Sequence, residues 1–200
     1  MFQRFLCLII GYALGCILTA EIVSYYKSNK SIRTMGSGNP GMTNTIKVYG
    51  LKCGGIVLAG DLMKTVTACI LAYLLFPLPN NLAILYAGLG SAIGHNFPFW
   101  NGFHGGRGVA CTCISLFCFS PFWGLTSCII GLISCLLTKY LAIGSIVIPT
   151  VFLLISFFRY KSIEIYILCA VFLVMMIYTS GGGIIRIIKG TEKKALWFDK

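Results

Sequence analysis

Seven apolar runs constrain this chain more than any other feature: residues 5–23, 54–77, 82–99, 109–120, 122–137, 143–158 and 163–179. A helix needs about 20 residues to cross the hydrocarbon of a bilayer, so runs of this length and purity read as membrane spans. Composition agrees, with 58% hydrophobic and 10% charged residues against roughly 45–50% and 25% in soluble domains. The expectation is an all-α, polytopic integral membrane protein of about seven transmembrane helices, forming a single membrane-embedded domain over residues 1–200. The runs 109–120 and 122–137 are short for a span. They either cross separately or make a re-entrant hairpin around Ser120 and Pro121, and both routes return the chain to the same side. The first run leads into Tyr25-Tyr26-Lys27 without the small-residue cleavage site of a signal peptide, so it reads as a retained span.

Charge sets the expected orientation. An N-terminus outside puts Lys27, Lys30, Arg33, Lys47, Lys52, Arg107, Lys139, Arg186, Lys189, Lys193, Lys194 and Lys200 on the cytoplasmic side and leaves Arg4, Arg159 and Lys161 outside. That bias is the one the positive-inside rule describes. The same choice places the polar, glycine-rich stretches 27–52, 95–108, 138–144 and 180–200 on the cytoplasmic face, which is therefore the expected working surface. A net charge of +11 suits anionic headgroups or an anionic substrate. Nucleic acid is not expected as a partner, because the basic residues form no run and no binding motif accompanies them. Most of the ten cysteines lie inside apolar runs without zinc-site spacing, so they read as free thiols. Acidic residues are few and the two histidines lack ligand spacing, so no metal or other cofactor is expected.

Two polar segments carry the chemistry. In Met35-Gly-Ser-Gly-Asn-Pro-Gly-Met-Thr-Asn44, glycines, a proline and short polar side chains suit a tight loop whose N–H groups converge on an anion. An ordinary turn between spans is the plain alternative. Gly36 to Gly41 also fits G-x-G-x-x-G, but no strand precedes it, and no Gly-Lys-Ser/Thr follows as a P-loop requires. The second segment, Gly94 to Ala110, reads as a helix end, an aromatic stretch, and then Gly105-Gly106-Arg107-Gly108 opening the next helix. A helix start favours anions, and Arg107 can grip a phosphate bidentately. Phe97, Phe99, Trp100 and Phe103 read as an aromatic belt at the headgroups.

Between these segments, Asp61 and Lys64 stand three apart on one helical face inside a predicted span. Charges at that depth are usually paired, and the two read as a structural pair. Glu21, near the end of the first span, reads as interfacial.

Together the segments resemble a family. Gly36-Ser-Gly-Asn-Pro-Gly-Met-Thr-Asn44 is similar to the GSGNPGATN motif of the bacterial acyl-phosphate:glycerol-3-phosphate acyltransferases, the PlsY family. Gly94-His95-Asn-Phe97-Pro98 and Phe103-His-Gly-Gly-Arg-Gly-Val-Ala110 resemble its GHxFP and FKGGKGVAT segments. Asp61-Leu-Met-Lys64 resembles its DxxK, residues 138–145 its TRYVSLASI, and residues 184–192 its NIxRLxxGTE tail. The matches run in the family's order over nearly the whole chain.

The resemblance implies transfer of a fatty acyl group from acyl phosphate to the 1-hydroxyl of glycerol 3-phosphate, giving lysophosphatidic acid for phospholipid synthesis in the bacterial cell membrane. On that reading the catalytic candidates are Ser37, Lys47, His104, Arg107 and Ser145. Substrate binding falls to Gly36, Gly38, Asn39, Gly41, Thr43, Asn44, Gly105, Gly106, Gly108 and Arg186. Several family positions are replaced. Lys47 stands for an arginine, Arg107 and His104 for lysines, Ala142 for a serine, and Ser180-Gly-Gly-Gly183 for H-x-x-N. Lys and Arg are not equivalent at a phosphate, and His104 could serve as a general base. Two other readings stay open: a lipid-phosphate-binding relative without turnover, and a small anion transporter.

Overall fold

The computed structural model describes residues 1–192, 194 and 195. Among them run nine α-helices, besides three short 3-10 turns: α1 (Phe2–Gly15), α2 (Thr19–Ser28), α3 (Met42–Tyr49), α4 (Leu51–Leu75), α5 (Leu82–Asn96), α6 (Val109–Phe119), α7 (Pro121–Thr138), α8 (Leu141–Arg159) and α9 (Ile163–Ile188). Lys193 and Lys200, counted above on the basic face, lie outside the described residues. Among the described residues, five stretches are long and apolar enough to cross a membrane: Phe2–Ser28, Leu51–Leu75, Pro121–Thr138, Leu141–Arg159 and Ile163–Ile188. Of the two runs expected to be short, α7 reaches 18 residues and α6 only 11. The chain divides into two compact units, Met1–Ser115 and Leu116 onward, with the division inside α6.

In the first unit, the expected single helix over residues 5–23 is interrupted at Cys16–Leu18, where α1 ends and α2 starts afresh. Nothing in Cys16-Ile17-Leu18 marks a breaker, and the tertiary structure supplies the reason. A broken helix exposes backbone carbonyls that must find donors where water is scarce. Trp100 Nε1 donates to the Cys16 carbonyl at 2.8 Å, and Lys64 Nζ donates to that of Ile17 at 2.7 Å.

Small residues let α1 and α5 approach closely. A Cβ on Gly11 or Gly15 would run into the α5 backbone at Ala87 and Ser91, and one on Gly90 or Gly94 into the α1 backbone at Leu8 and Tyr12. Two glycine pairs four residues apart, face to face, are the small-xxx-small device by which membrane helices gain van der Waals contact without a hydrophobic driving force. The buried core beside them is likewise small, built from Cys7, Ala68, Ala72, Ala83 and Ala87. Large side chains such as Ile9, Ile22, Met63, Leu74 and Phe158 point outward, as a lipid-facing surface requires.

In the second unit, α7 and α8 repeat the device: a Cβ on Gly144 would lie 2.6 Å from the Gly131 carbonyl oxygen. The expected polar tail beginning at Ser180 is instead the last turns of α9, which runs through Gly181, Gly182 and Gly183 to Ile188. A glycine run weakens a helix by about 1 kcal/mol per residue relative to alanine. Here Ser180 and Gly183 are buried on one face, and a Cβ at 183 would come within 2.9 Å of that of Ala142 on α8, so packing holds what propensity would release.

The glycine contact gives a direct test. Gly90→Leu, which forces α1 and α5 apart, should destabilise the protein by at least about 2 kcal/mol, read as a lower thermal midpoint in detergent. Ile9→Leu on the outward surface should leave the midpoint unchanged.

Candidate functional site

The floor of the first unit is a buried ionic cluster. Asp61 Oδ1 pairs with Lys64 Nζ at 2.9 Å, and His95 Nδ1 lies 3.5 Å from the same oxygen and 2.9 Å from Lys64 Nζ. Thr19 Oγ1, in the first turn of α2, donates to Asp61 Oδ1 at 3.3 Å. The cluster thereby joins α4 to the break in the first span and to the end of α5. Reading Asp61 and Lys64 as partners found two members; His95 is the third. Its signal was present, since a titratable side chain at the end of an apolar helix also needs a partner.

The first polar segment is organised from inside by Asn44. Its Oδ1 accepts from the Ser37 N–H at 2.8 Å, and its Nδ2 donates to the carbonyls of Met35 (3.0 Å) and Ile32 (3.4 Å). Gly36 sits over this amide at φ +59, where a Cβ would strike Asn44 Oδ1. The N–H of Gly38 donates to the Met35 carbonyl and that of Gly41 to Asn39. The expectation that N–H groups of this loop converge on an anion therefore needs correction: those of Ser37, Gly38 and Gly41 are bonded within the loop. Open donors appear at the start of α3, where the first helical bond runs from the Thr45 N–H to the Gly41 carbonyl. The N–H groups of Met42, Thr43 and Asn44 precede it and have no intrahelical acceptor. Ser37 and Lys47 are exposed, and Asn39 and Thr43 half-buried; Thr43 and Lys47, four apart, share a face of α3.

The second segment hangs from α5. Gly105 N–H donates to the Asn96 carbonyl at 2.9 Å and Gly106 N–H to that of His95 at 3.0 Å. A Cβ on Gly106 would enter the His95 imidazole, and one on Gly108, at φ +72, would meet the Asn96 amide. These glycines permit close approach to the ionic cluster, and the N–H groups of Gly105 and Gly106 face carbonyls instead of a ligand. This is a second correction with the same cause: sequence shows that the backbone must come close to something, and here that something is α5. Gly108 then starts α6, its carbonyl accepting from Thr112 N–H, so the N–H groups of Val109, Ala110 and buried Cys111 precede the first helical bond and have no intrahelical acceptor. Arg107 beside them is half-buried. His104 is exposed, with Nδ1 2.5 Å from the Gly102 carbonyl. A carbonyl only accepts, so Nδ1 is the donor in this contact, and Nε2 lies on the other side of the ring. Of the aromatic stretch, Phe99, Trp100 and Phe103 are exposed and Phe97 half-buried.

Two residues outside the expected set hold the segments. Buried Glu21, read from sequence as interfacial, accepts from Ser31 Oγ at 2.9 Å and from Ile32 N–H at 3.3 Å. Arg33 Nη1 donates to the His104 carbonyl at 2.7 Å.

In the second unit, Ser145 Oγ bonds Ser180 Oγ at 2.8 Å, both buried, with Ala142 and Gly183 packed beside them. Arg186 is exposed and its Nε bonds Glu192 Oε2, the tail being folded back by the Thr191 N–H on the Arg186 carbonyl.

The family model described as glycerol-3-phosphate acyltransferase matches residues 5–190. The glycerol-3-phosphate acyltransferase of Thermoanaerobacter sp. (strain X514) is 36% identical over 186 residues, 93% of this chain and 92% of the relative. The crystal structure of PlsY (YgiH), an integral membrane glycerol 3-phosphate acyltransferase, in its glycerol 3-phosphate form superposes with TM-score 0.85 at 29% identity, over 96% of this chain and 94% of that one. Its lysophosphatidic acid form gives 0.83 with the same identity and coverage. Together with the apolar helices, these likenesses define a multi-pass integral membrane protein of the acyltransferase class. The chain belongs to the glycerol-3-phosphate acyltransferase family.

The ionic floor is testable by itself. Asp61→Leu leaves an ammonium buried without its carboxylate and should cost about 3–5 kcal/mol, read as lost thermal stability in detergent. Adding Lys64→Met should recover at least half of that loss. A double variant no better than the single one would assign the effect to the Lys64 bond on Ile17.

Proposed function

We propose that this protein transfers a fatty acyl group from acyl phosphate to the 1-hydroxyl of glycerol 3-phosphate, releasing phosphate and lysophosphatidic acid. One observation carries the reading beyond family membership: two glycine-led segments, held by internal bonds from the N–H groups of Ser37, Gly38 and Gly41 and of Gly105 and Gly106, open the helices α3 and α6 beside Ser37, Thr43 and Lys47 in one case and His104 and Arg107 in the other. Open N–H groups with neighbouring cations are a ready anion site, and this reaction brings together two phosphate-bearing substrates.

An acyl phosphate is a mixed anhydride, so its carbonyl needs little further activation. The glycerol hydroxyl oxygen attacks that carbon, the bond to the phosphate oxygen breaks, and the hydroxyl proton is taken up by a nearby acceptor, the role this reading assigns to His104 Nε2. Holding the two reactants in register and stabilising the developing oxyanion supply the acceleration. Asn44, Gly105 and Gly106 contribute by shaping the segments, while Ser37, Asn39, Thr43, Lys47 and Arg107 offer polar groups to the substrates. Ser145 and Arg186, in the second unit, are assigned to the reaction by the resemblance of their motifs alone. The location is the bacterial cell membrane, with the N-terminus outside, the C-terminus cytoplasmic and the polar segments on the cytoplasmic face, as the basic residues favour.

Purified protein in liposomes, given acyl phosphate and glycerol 3-phosphate, should form lysophosphatidic acid detectable by mass spectrometry. Arg107→Ala should lower turnover by at least about 100-fold. Folded wild-type protein that binds glycerol 3-phosphate yet forms no product would refute turnover.

A further inference from the structure

Arg33 lies outside every motif that suggested the chemistry, yet its guanidinium crosses from the first polar segment to the second, 71 residues away in sequence. Both ends of this strap are fixed. At its root, the Arg33 N–H donates to Ser31 Oγ at 3.2 Å, and the Ser31 hydroxyl in turn donates to buried Glu21. Ile32, fully buried, donates its N–H to the same carboxylate, and its carbonyl accepts from Asn44 Nδ2. A Cβ on Gly38 would lie 3.1 Å from the Arg33 carbonyl oxygen, so the glycine loop is packed on the same residue. At its tip, Nη1 reaches the His104 carbonyl at 2.7 Å, and Asn101 Nδ2 shares that oxygen at 2.7 Å. This carbonyl immediately precedes Gly105, whose N–H is held by α5.

We infer that Arg33 is a positioning residue: through the His104 carbonyl it fixes the segment that opens α6 against the segment that opens α3, and so sets the spacing between the two anion sites. The inference rests on the two-substrate reading above. It assigns Arg33 no contact with either substrate. Each site keeps its own side chains and helix start when the strap is cut. What changes is the register between reactants, and in a transfer between two bound molecules a displacement of about 1 Å can lower the rate about 100-fold.

The test compares Arg33→Gln and Arg33→Lys with wild-type protein in nanodiscs. Arg33→Gln should lower kcat about 10- to 100-fold while KM for each substrate moves less than about threefold, the pattern of an interaction that matters only when the reactants meet. Arg33→Lys, whose ammonium can still reach a carbonyl, should restore much of kcat. Independently of turnover, amide hydrogen exchange over residues 102–108 should rise in Arg33→Gln while that of α4 stays unchanged. A raised KM at constant kcat would overturn the inference in favour of direct substrate contact. Unchanged exchange over 102–108 would overturn it outright, as would unchanged kcat. If wild-type protein makes no product, the two-substrate reading fails, and the exchange result still decides whether Arg33 holds the segment.

Discussion

The first unit is built on a carboxylate and an ammonium buried three residues apart. Burying charge is unfavourable unless every charge finds partners, and the partners of Asp61 and Lys64 are what tie the unit together. Lys64 satisfies a carbonyl freed by the break between α1 and α2. Thr19 of α2 and His95 of α5 close on Asp61. His95 in turn carries Gly106 on its own carbonyl, with no room for a side chain there. A line of contacts therefore runs from an ion pair in a predicted span to the backbone that opens α6. Without that pair the break in the first span would leave a carbonyl unsatisfied, and the second polar segment would lose its seat.

A second feature works alongside it. Where α1, α4 and α5 meet, the helices approach through glycine, alanine and cysteine, and many large side chains, Ile9, Met63 and Leu74 among them, face outward. In water such an arrangement would waste the hydrophobic effect. In lipid the outward surface has a solvent, and close backbone contact is where helix association gains its energy.

Much of this was legible in the sequence and some was not, for reasons that can be named. Apolar runs located the long helices because a bilayer imposes length and purity on any span. The order of the glycine-led motifs pointed to the family. The break at Cys16–Leu18 was invisible because its cause lies in Trp100 and Lys64, far along the chain. The glycines of the tail looked like a loop because propensity is local, whereas Ala142, Ser145 and Ser180 hold α9 by packing. The glycine segments were recognised as tight, but composition cannot say what the backbone approaches, and Asn44, His95 and Asn96 proved to be the answer. Arg33 read only as one basic residue among many because its partner is a carbonyl, which no side-chain pattern reports.

The internal bonding of the two glycine segments bears on how the protein behaves with nothing bound. A cradle made of loop amides aimed at a missing anion would hold unsatisfied donors whenever it stood empty, and it would relax to find acceptors. Here the loop amides of Ser37, Gly38, Gly41, Gly105 and Gly106 already have acceptors. The resting shape of these stretches is therefore held by the chain itself, with nothing bound. On the function proposed above, loops so held need no refolding between one cycle and the next.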